Sequence, residues 1–425
     1  MMRESAVSKI SNTLAGDSRR AGAFIFAVAW LLRVAVVLFT RSYKDPQPVV
    51  EMGHVVLSIV AGLGFSNPFG CVTGPTSHLA PVFPYLLSLI YRVLPAGDAR
   101  ELAVKIFRIT LVSLAYALLP WLAVRLRLNR GVGVFAGLFA AAVPLLFWME
   151  VRQDWEGPLT ALLIIVGLGM FARLLDEPGT WQAVATGLLW GVSLLNAPTL
   201  LFTFAALVAF WIWRGQSRTM AKLRLLPALL LPLILVMTPW TVRNYRVFHH
   251  FMFVRQNLGL ELHLSFNPVS QATYFDTFVA GVRDHPSTDP ATCADFARLG
   301  EISMNRLDQQ KGLAWIRTNR GRFAELIAGR FVAFWVMDLA NLPRTLASGA
   351  LTLAGLLGLV LCFSRYRFAA QLLGITLLAF PLTYYVFQFD ARYRYPLHPI
   401  VVLLACVFLT EAGSALRRRQ RPVSD

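Results

Sequence analysis

Side chains that could transfer protons gather in the stretch of the sequence that runs from Tyr43 to Tyr85. This stretch contains one acid, Glu51, and two histidines, His54 and His78, together with glycine turns and a Gly-Pro-Thr sequence. Carboxylates and imidazoles often act as general acids and bases. The stretch is too polar to cross a bilayer, which takes about 20 predominantly apolar residues. We therefore predict a loop that carries chemistry on one side of a membrane.

Further acids and arginines occur in other polar segments between the apolar runs. Guanidinium groups bind phosphate oxygens through paired hydrogen bonds, and a carboxylate can take the proton of a hydroxyl. A sugar carried on a polyprenyl phosphate would use such a set, because its phosphate needs donors while its lipid tail stays in the bilayer. The candidates beyond the first loop are Asp154, Glu156, Arg243, Asn244, Arg255, Asn257, Glu261, His263, Asp390, Arg392 and Arg394.

Each candidate also has a simpler explanation. Glu51 could be a solvated loop acid, and Asp154 and Glu156 could stabilise a helix N-terminus. Arg392 and Arg394 could anchor the chain at the membrane interface. The Asp-Trp-Glu sequence at 154–156 resembles a carboxylate pair for a divalent metal, but two oxygen ligands are weak evidence. We therefore assign no metal ligand and keep a divalent metal cofactor as an open alternative.

The composition indicates a protein whose main solvent is not water. Of the 425 residues, 56% are hydrophobic and only 15% are charged, whereas soluble domains carry about 25% charged residues. The net charge of +17 could suggest nucleic-acid binding. The basic residues cluster at the ends of apolar runs, however, where they set topology and contact anionic lipid headgroups. We therefore predict a membrane protein that does not bind nucleic acid.

The apolar runs predict an all-α, multi-pass protein with about ten membrane-spanning helices, within a range of about 8 to 12. The predicted spans are 22–39, 103–124, 132–149, 159–174, two short spans within 181–213, and then 225–241, 346–363, 368–387 and 397–413. Proline removes a backbone donor, so Asn196-Ala197-Pro198 is predicted to divide the run 181–213. The stretches 81–95 and 323–342 are predicted to be interfacial helices, because the first is too short to span and the second is charged.

The basic clusters predict which segments are cytoplasmic. The predicted regions are a cytoplasmic segment 1–21, a transmembrane core 22–242 with an outer loop 40–102, an extracytoplasmic loop 243–345 with an interfacial helix, C-terminal spans 346–413 and a basic cytoplasmic tail 414–425. Arg33 lies inside the first span, where a charge is either functional or reaches to the interface. Cys71 and Cys293 would both lie outside, and we favour unlinked thiols over a disulfide.

Seven stretches taken together resemble the family 39-type bacterial glycosyltransferases that depend on polyprenyl phosphate and have the GT-C fold. These enzymes are related to protein O-mannosyltransferases and to the aminoarabinose transferases of lipid A. The stretches follow the order of that family and extend from about 24 to 410. They read EMGHVVLSIVAGLGFSNPFG, GPTSHLAPVFPYLLSLI, QDWEGPLTALL, GLLWGVSLLNAPTLL, TPWTVRNYRVF, RQNLGLELHLSFNP and RYRYPLHP.

The resemblance implies roles for the candidate residues. Glu51 takes the position of the catalytic base, and Glu156, with Asp154 beside it, takes that of the acid that opens the fourth span. The donor-phosphate ligands are expected to be Arg243, Arg392 and Arg394. Apart from the resemblance, the predicted outward-facing polar residues His54, Asn257 and Glu261 are further candidates for substrate binding. Many relatives carry adjacent aspartate and glutamate followed by tyrosine in the first loop, whereas here Glu51 stands alone before Met52.

The resemblance also implies an activity and a location. The expected reaction moves a sugar with inversion from a polyprenyl-phosphate donor to a hydroxyl of a lipid, glycan or protein acceptor. The expected location is a bacterial plasma membrane, with the active site on the extracytoplasmic face. A polytopic lipid or sugar transporter or flippase, and an O-antigen polymerase or ligase, remain the alternatives. A transferase requires Glu51, Glu156 and Arg243 within one outward cavity, whereas a transporter requires a polar path near the midplane of the bilayer.

Overall fold

The computed structural model describes residues 18–44, 50–143, 150, 155–214, 219–281, 284–336 and 342–419 of the chain. Within these ranges the chain forms helices and two isolated β-bridges, without a strand. The first ten helices are α1 (Ser18–Thr40), α2 (Glu51–Val60), α3 (Val82–Val93), α4 (Asp98–Ala117), α5 (Leu119–Arg125), α6 (Arg130–Ala142), α7 (Gly157–Asp176), α8 (Thr180–Asn196), α9 (Leu200–Trp213) and α10 (Thr219–Phe248). The predicted all-α class is confirmed.

The second half of the chain begins with short helices and ends with long ones. The helices are α11 (Leu258–Ser265), α12 (Tyr274–Val279), α13 (Pro290–Leu299), α14 (Glu301–Thr318), α15 (Arg320–Val336), α16 (Leu342–Arg365), α17 (Arg367–Ala379), α18 (Leu382–Val386), α19 (Ala391–Arg394) and α20 (His398–Arg419). The predicted interfacial helix at 323–342 corresponds to α15, and residues 337–341 lie outside the described part of the chain.

Seven helical segments in the described ranges are long and apolar enough to cross a membrane. They are Ser18–Thr40, Asp98–Arg125, Gly157–Asp176, Leu223–Phe248, Leu342–Arg365, Arg367–Val386 and Ala391–Ser414. Helices α6 and α9 are apolar but shorter, and most of the second half of the predicted span 132–149 lies outside the described residues. The break at Asn196-Ala197-Pro198 occurs as expected, since α8 ends at Asn196 and α9 begins at Leu200. The chain is a multi-pass membrane protein.

Helix α10 is longer than the apolar run that predicted it. It continues through three prolines, Pro227, Pro232 and Pro239, as far as Phe248. Transmembrane helices tolerate proline because neighbouring helices and local adjustments satisfy the freed carbonyls. Arg243 therefore lies in the last turns of a helix, rather than at the start of the outer loop predicted at 243–345.

Small residues allow two pairs of helices to approach closely. A Cβ atom on Gly187 of α8 would overlap the Leu229 carbonyl of α10, and one on Gly358 of α16 would overlap the Leu404 carbonyl of α20. Helices in lipid associate largely through such close packing, since burial of apolar surface gives little advantage there. These contacts hold the bundle that carries the site.

The buried charge of Arg33 forms an ion pair with Glu150 rather than reaching to the membrane interface. Arg33 Nε donates to Glu150 Oε2 at 2.6 Å, and both side chains are buried. Tyr116 and Tyr395 donate to the other carboxylate oxygen at 2.7 and 3.3 Å. This network joins α1 and α4 to the segment before α7 and to the turn that precedes α20, so the interface interpretation of Arg33 is wrong.

Helices α11, α13 and α14 pack on the first loop. Phe69 lies in a buried cluster with residues of α11, α13 and α14, and Cys71 forms a disulfide with Cys293, with Cα atoms 6.6 Å apart. That separation is usual for a disulfide. The preference for unlinked thiols was therefore wrong: the two cysteines are 222 positions apart in the sequence, and only the tertiary fold brings them together.

Candidate functional site

Polar residues from seven parts of the chain meet around a cavity of about 260 Å³. Its walls also carry aromatic side chains, including Trp155, Tyr384 and Tyr393. Concave sites with apolar walls and a few convergent polar groups are typical of ligand binding. The charged and amide side chains that line it are Glu51, Glu156, Arg255, Asn257, Glu261 and Arg392.

The ends of several helices surround this cavity. Glu51 is the first residue of α2, Glu156 directly precedes α7, Thr199 precedes α9 and Asn257 precedes α11. All four residues line the cavity. Helix N-termini carry unpaired N–H groups and a partial positive charge. Together with the two arginines, they make the cavity suited to a ligand that bears an anionic group.

Glu51 is held by two imidazoles at the cavity wall. His78 Nε2 and His285 Nε2 lie 3.3 and 3.0 Å from Glu51 Oε1. Burial would raise the pKa of the Glu51 carboxyl, but the two histidines outweigh it and hold this pKa well below its usual range. Burial likewise opposes the charged form of His78, yet the Glu51 carboxylate raises its pKa above the ordinary value. Glu51 is therefore ionised at neutral pH.

Glu156 faces the same cavity in a different electrostatic environment. Its Oε2 atom is buried and has no hydrogen-bond partner among the described residues. Burial raises the pKa of its carboxyl, although Arg255 and Arg392 act in the opposite direction. A pair of carboxyls whose surroundings move their pKa values apart is typical of sites that need both a base and a hydrogen-bond donor.

Arg392 and Arg255 are the arginines of the cavity. The Arg392 guanidinium stands over the Trp155 ring, 4.4 Å from its centre. Asp390 holds the backbone of Arg392 by accepting its N–H at 2.9 Å. Arg255 is half-buried and also lines the cavity. The site therefore has two cations close to two carboxyls of contrasting character.

The structure brings five of the predicted site residues together, namely Glu51, Glu156, Asn257, Glu261 and Arg392. Asn257 Nδ2 donates to Glu261 Oε1 at 3.0 Å, so these two side chains form one unit of the wall. Asp154 lies outside the described residues. His54 is not a cavity residue, since its imidazole lies against Gly70 of the first loop.

Two predicted phosphate ligands lie elsewhere. Arg243 donates to the carbonyls of Thr76 and Phe65 at 2.7 and 2.9 Å and borders a separate apolar groove of about 600 Å³. Arg394 is buried and donates to the Trp335 carbonyl at 3.0 Å and to a threonine hydroxyl at 2.5 Å. These guanidinium groups hold backbone segments. The transferase prediction required Glu51, Glu156 and Arg243 in one cavity, but Arg243 does not line the cavity of the two acids.

Sequence reasoning gave no role to two residues that contact or line this site. Arg255 was recognised only as a polar residue of the outer loop, and His285 was not singled out at all. His285 lies in an irregular segment, where no periodic pattern marks a side chain as directed inward. Only its contact with Glu51 reveals it.

The residues that the structure describes do not fit a metal site with three protein ligands. No group of three or more histidine, cysteine or acidic side chains in those ranges could hold a metal ion. The Glu51 carboxylate already contacts two imidazole rings, and Glu156 lies close to two arginines, which would repel a metal cation. We therefore derive no step of chemistry through a metal.

Comparison with known proteins identifies the fold. Residues 78–241 match the dolichyl-phosphate-mannose-protein mannosyltransferase family. No curated protein matches the chain significantly. The oligosaccharyltransferase of Archaeoglobus fulgidus in complex with zinc and sulfate is similar in structure, with a TM-score of 0.53 and 16% identity over 93% of this chain and 50% of that chain.

The apo form of the same oligosaccharyltransferase gives a TM-score of 0.54 at 14% identity, and the match covers 94% of this chain and 51% of that one. This chain therefore spans about half the length of that protein. The resemblance found in the sequence is confirmed: the chain is a multi-pass membrane protein with the GT-C glycosyltransferase fold, and its residues 78–241 match the mannosyltransferase family.

Proposed function

We propose that the chain transfers a sugar from a polyprenyl-phosphate donor to a hydroxyl of a lipid, glycan or protein acceptor on the extracytoplasmic face. The observation that carries this proposal is the single cavity that contains Glu51, Glu156, Arg255 and Arg392. The match to the mannosyltransferase family and the GT-C fold support it. The disulfide between the first loop and α13 supports the extracytoplasmic side, since disulfides persist in oxidising compartments.

Glu51 acts as the general base in this proposal. Both histidines contact its Oε1 atom, which leaves Oε2 to receive the proton of the acceptor hydroxyl. The hydroxyl oxygen attacks the anomeric carbon as its proton moves to Glu51. The bond between that carbon and the phosphate oxygen breaks on the opposite side, so the configuration inverts and polyprenyl phosphate leaves.

Arg255 and Arg392 stabilise the charge that grows on the leaving phosphate. Fixed donors at the place where charge develops are among the largest contributions to catalysis. The N-termini of α7, α9 and α11 add a favourable potential at the same place. Glu156, with its pKa raised by burial, can donate a hydrogen bond to the donor phosphate or sugar instead of repelling the anion. Arg243 and Arg394 fix the loops around the site, in place of the phosphate-binding roles expected from sequence.

The first test is release of radiolabelled sugar by the full chain in proteoliposomes. The donors are mannose, glucose, galactose and 4-amino-4-deoxyarabinose, each linked to undecaprenyl phosphate. We expect release from one donor, and a loss of about 10²- to 10⁴-fold in Glu51→Gln, because the base is removed. The matched control is Glu325→Gln, which changes an exposed carboxylate and should leave the rate unchanged. Near-normal release by Glu51→Gln would contradict the proposal.

The second test separates the phosphate ligands from the structural arginines. Arg392→Ala and Arg255→Ala should lower the rate by about 10²- to 10³-fold, as removal of one charge-stabilising donor does. Their unfolding temperatures should stay close to that of the wild type. Arg298→Ala, at an exposed arginine of α13, is the control and should behave as wild type. Equal rates for Arg392→Ala and Arg298→Ala would refute the assignment.

A further inference from the structure

His285 contacts the Glu51 carboxylate from outside the cavity, and its second ring nitrogen defines its state. His285 Nδ1 accepts the backbone N–H of Ser287 at 3.1 Å. A ring nitrogen that accepts a hydrogen bond carries no proton, so the proton of the neutral ring must be on Nε2. That Nε2–H lies 3.0 Å from Glu51 Oε1. His285 is thus a neutral donor of fixed tautomer, aimed at the carboxylate.

His78 differs from His285 although it contacts the same oxygen. Its ring is almost fully buried, and its Nδ1 atom has no hydrogen-bond partner among the described residues. No donor therefore occupies its Nδ1, so both of its nitrogens can carry a proton, and it can serve as the cation that balances Glu51. The fixed donor and the balancing cation are supplied by two separate side chains.

The segment that carries His285 is attached to the loop behind Glu51 by covalent and polar contacts. Cys293 of α13, eight residues after His285, is bonded to Cys71. At the start of α14, the buried Glu301 carboxylate accepts from the Thr76 hydroxyl at 2.5 Å and from the Ser77 N–H at 2.8 Å. Holding an irregular segment in one conformation costs conformational entropy for each residue, and these attachments offset that cost.

Apolar contacts complete this attachment. Phe69 packs edge-on against Phe296, with ring centres 5.0 Å apart, and against His285 at 6.0 Å. The position of the His285 ring is therefore set by the first loop itself, through the disulfide, Glu301 and Phe69. The same loop continues to His78, so both imidazoles are placed by one packed unit.

We propose that His285 is a positioning residue for Glu51, and that the Cys71–Cys293 disulfide keeps it in place. Its Nε2–H fixes one carboxylate oxygen so that the other is turned to the acceptor hydroxyl. This inference rests on the proposed role of Glu51 as base. The other titratable or charged groups that face Glu51 are His78 and the cavity residues Glu156, Arg255, Glu261 and Arg392.

The test compares His285→Ala with His285→Gln in the full chain, using the undecaprenyl-phosphate sugar that the wild type cleaves. A glutamine amide can place an N–H where the imidazole Nε2–H lies, whereas alanine places none. Loss of a hydrogen bond to a charged group corresponds to about 10- to 100-fold. We expect His285→Ala to lower kcat by that factor with little change in KM, and His285→Gln to recover to within about threefold.

The pH profile distinguishes positioning from a general structural role. A donor to the ionised form of a carboxyl lowers its pKa, so the acidic limb of the rate should move to higher pH in His285→Ala and stay unchanged in His285→Gln. A merely structural role would lower the rate and the unfolding temperature of both variants without moving the limb. That result, or a normal kcat in His285→Ala, would overturn the proposal.

The disulfide is tested by a double-variant cycle. The double variant Cys71→Ser with Cys293→Ser should have a lower kcat and an unchanged KM for the donor. Adding His285→Ala to it should lower kcat much less than His285→Ala does in the wild type. Multiplicative losses would show that the disulfide and His285 act independently, which contradicts the proposal. Thiol labelling of the denatured wild type, with and without prior reduction, verifies that the disulfide is present.

A measurement without substrate separates this inference from the proposed function. ¹⁵N spectra of histidine-labelled protein, with His285→Gln to assign the signal, should show a neutral ring protonated on Nε2 at pH 7. A charged ring or the other tautomer would overturn the inference. If Glu51→Gln retains activity while the tautomer is as expected, the proposed function fails and the geometry stands. If Glu51→Gln is inactive and His285→Ala is normal, only the positioning role fails.

Discussion

The Arg33–Glu150 ion pair should stabilise the segment that leads to Glu156 of the cavity, by an amount that can be worked out from its contacts. Arg33 donates to Glu150 at 2.6 Å and also to the carbonyls of Ala140 and Ala141 at 3.2 and 3.1 Å. Those two carbonyls belong to the last turn of α6, where carbonyls lack partners within the helix. Arg33 therefore both neutralises a buried carboxylate and caps a helix.

The expected losses follow from these two roles. Arg33→Met strands the Glu150 charge, which costs about 3–5 kcal/mol, and frees two carbonyls at roughly 1 kcal/mol each. Glu150→Gln leaves the Arg33 charge without its counter-ion, but Arg33 keeps three carbonyl acceptors that partly compensate it, so the loss should be smaller, about 1–3 kcal/mol. In Arg33→Met combined with Glu150→Gln no charge is stranded, so the double variant should be more stable than Arg33→Met alone.

The assay is thermal unfolding in detergent, followed by size-exclusion chromatography after heating, for the wild type, both single variants and the double variant. Arg33→Met should have the lowest unfolding temperature, and adding Glu150→Gln should raise it. The rate of sugar release should fall in the same order, because Glu150 precedes Glu156 of the cavity by six residues. Wild-type stability in Arg33→Met, or a double variant less stable than Arg33→Met, would refute the reasoning.

Two further predictions concern packing and pH. Gly358→Ala should destabilise the chain by about 1–3 kcal/mol in thermal unfolding, since a Cβ there overlaps the backbone of α20. Gly349→Ala in the same helix, where a Cβ meets nothing within 4 Å, is the control and should be neutral or stabilising. The pKa of His78 is raised by Glu51 despite burial, so the stability of this pair is fully present below about pH 6.5 and lost as the pH rises through the folded pKa. The unfolding temperature of the wild type should therefore fall with rising pH above 6.5 more steeply than that of His78→Gln, with His250→Gln as the exposed control, and equal slopes would contradict it.

The membrane architecture could be predicted from the sequence because its cause is local. A run of about 20 apolar residues is sufficient to indicate a spanning helix, and a proline is sufficient to indicate the break after Asn196. Glu51 and Glu156 could be identified for a related reason. Each lies in a short polar segment next to an apolar run, so the sequence already places it near a membrane surface.

The partners of these acids were decided only by the tertiary structure. The sequence contains several arginines in predicted outer segments, and any of them could bind a phosphate. It does not show that Arg392 and Arg255 line the cavity, or that Arg243 and Arg394 donate to backbone carbonyls instead. Which guanidinium reaches a cavity depends on helix length and packing. Here α10 continues past the end of its apolar run, and that places Arg243 beside another groove.

The contacts that hold the first loop and the segment before α7 join residues far apart in the sequence. Arg33 and Glu150 are separated by 117 positions, and Cys71 and Cys293 by 222. No periodicity or local propensity encodes such pairs, because they exist only after the bundle and the outer helices have packed. The sequence by itself therefore determined that the chain lies in a membrane, where its apolar helices run, and that Glu51 and Glu156 lie near a membrane surface. The fold decided which charges neutralise them, since electrostatic partnership depends on distance in space and not on distance along the chain.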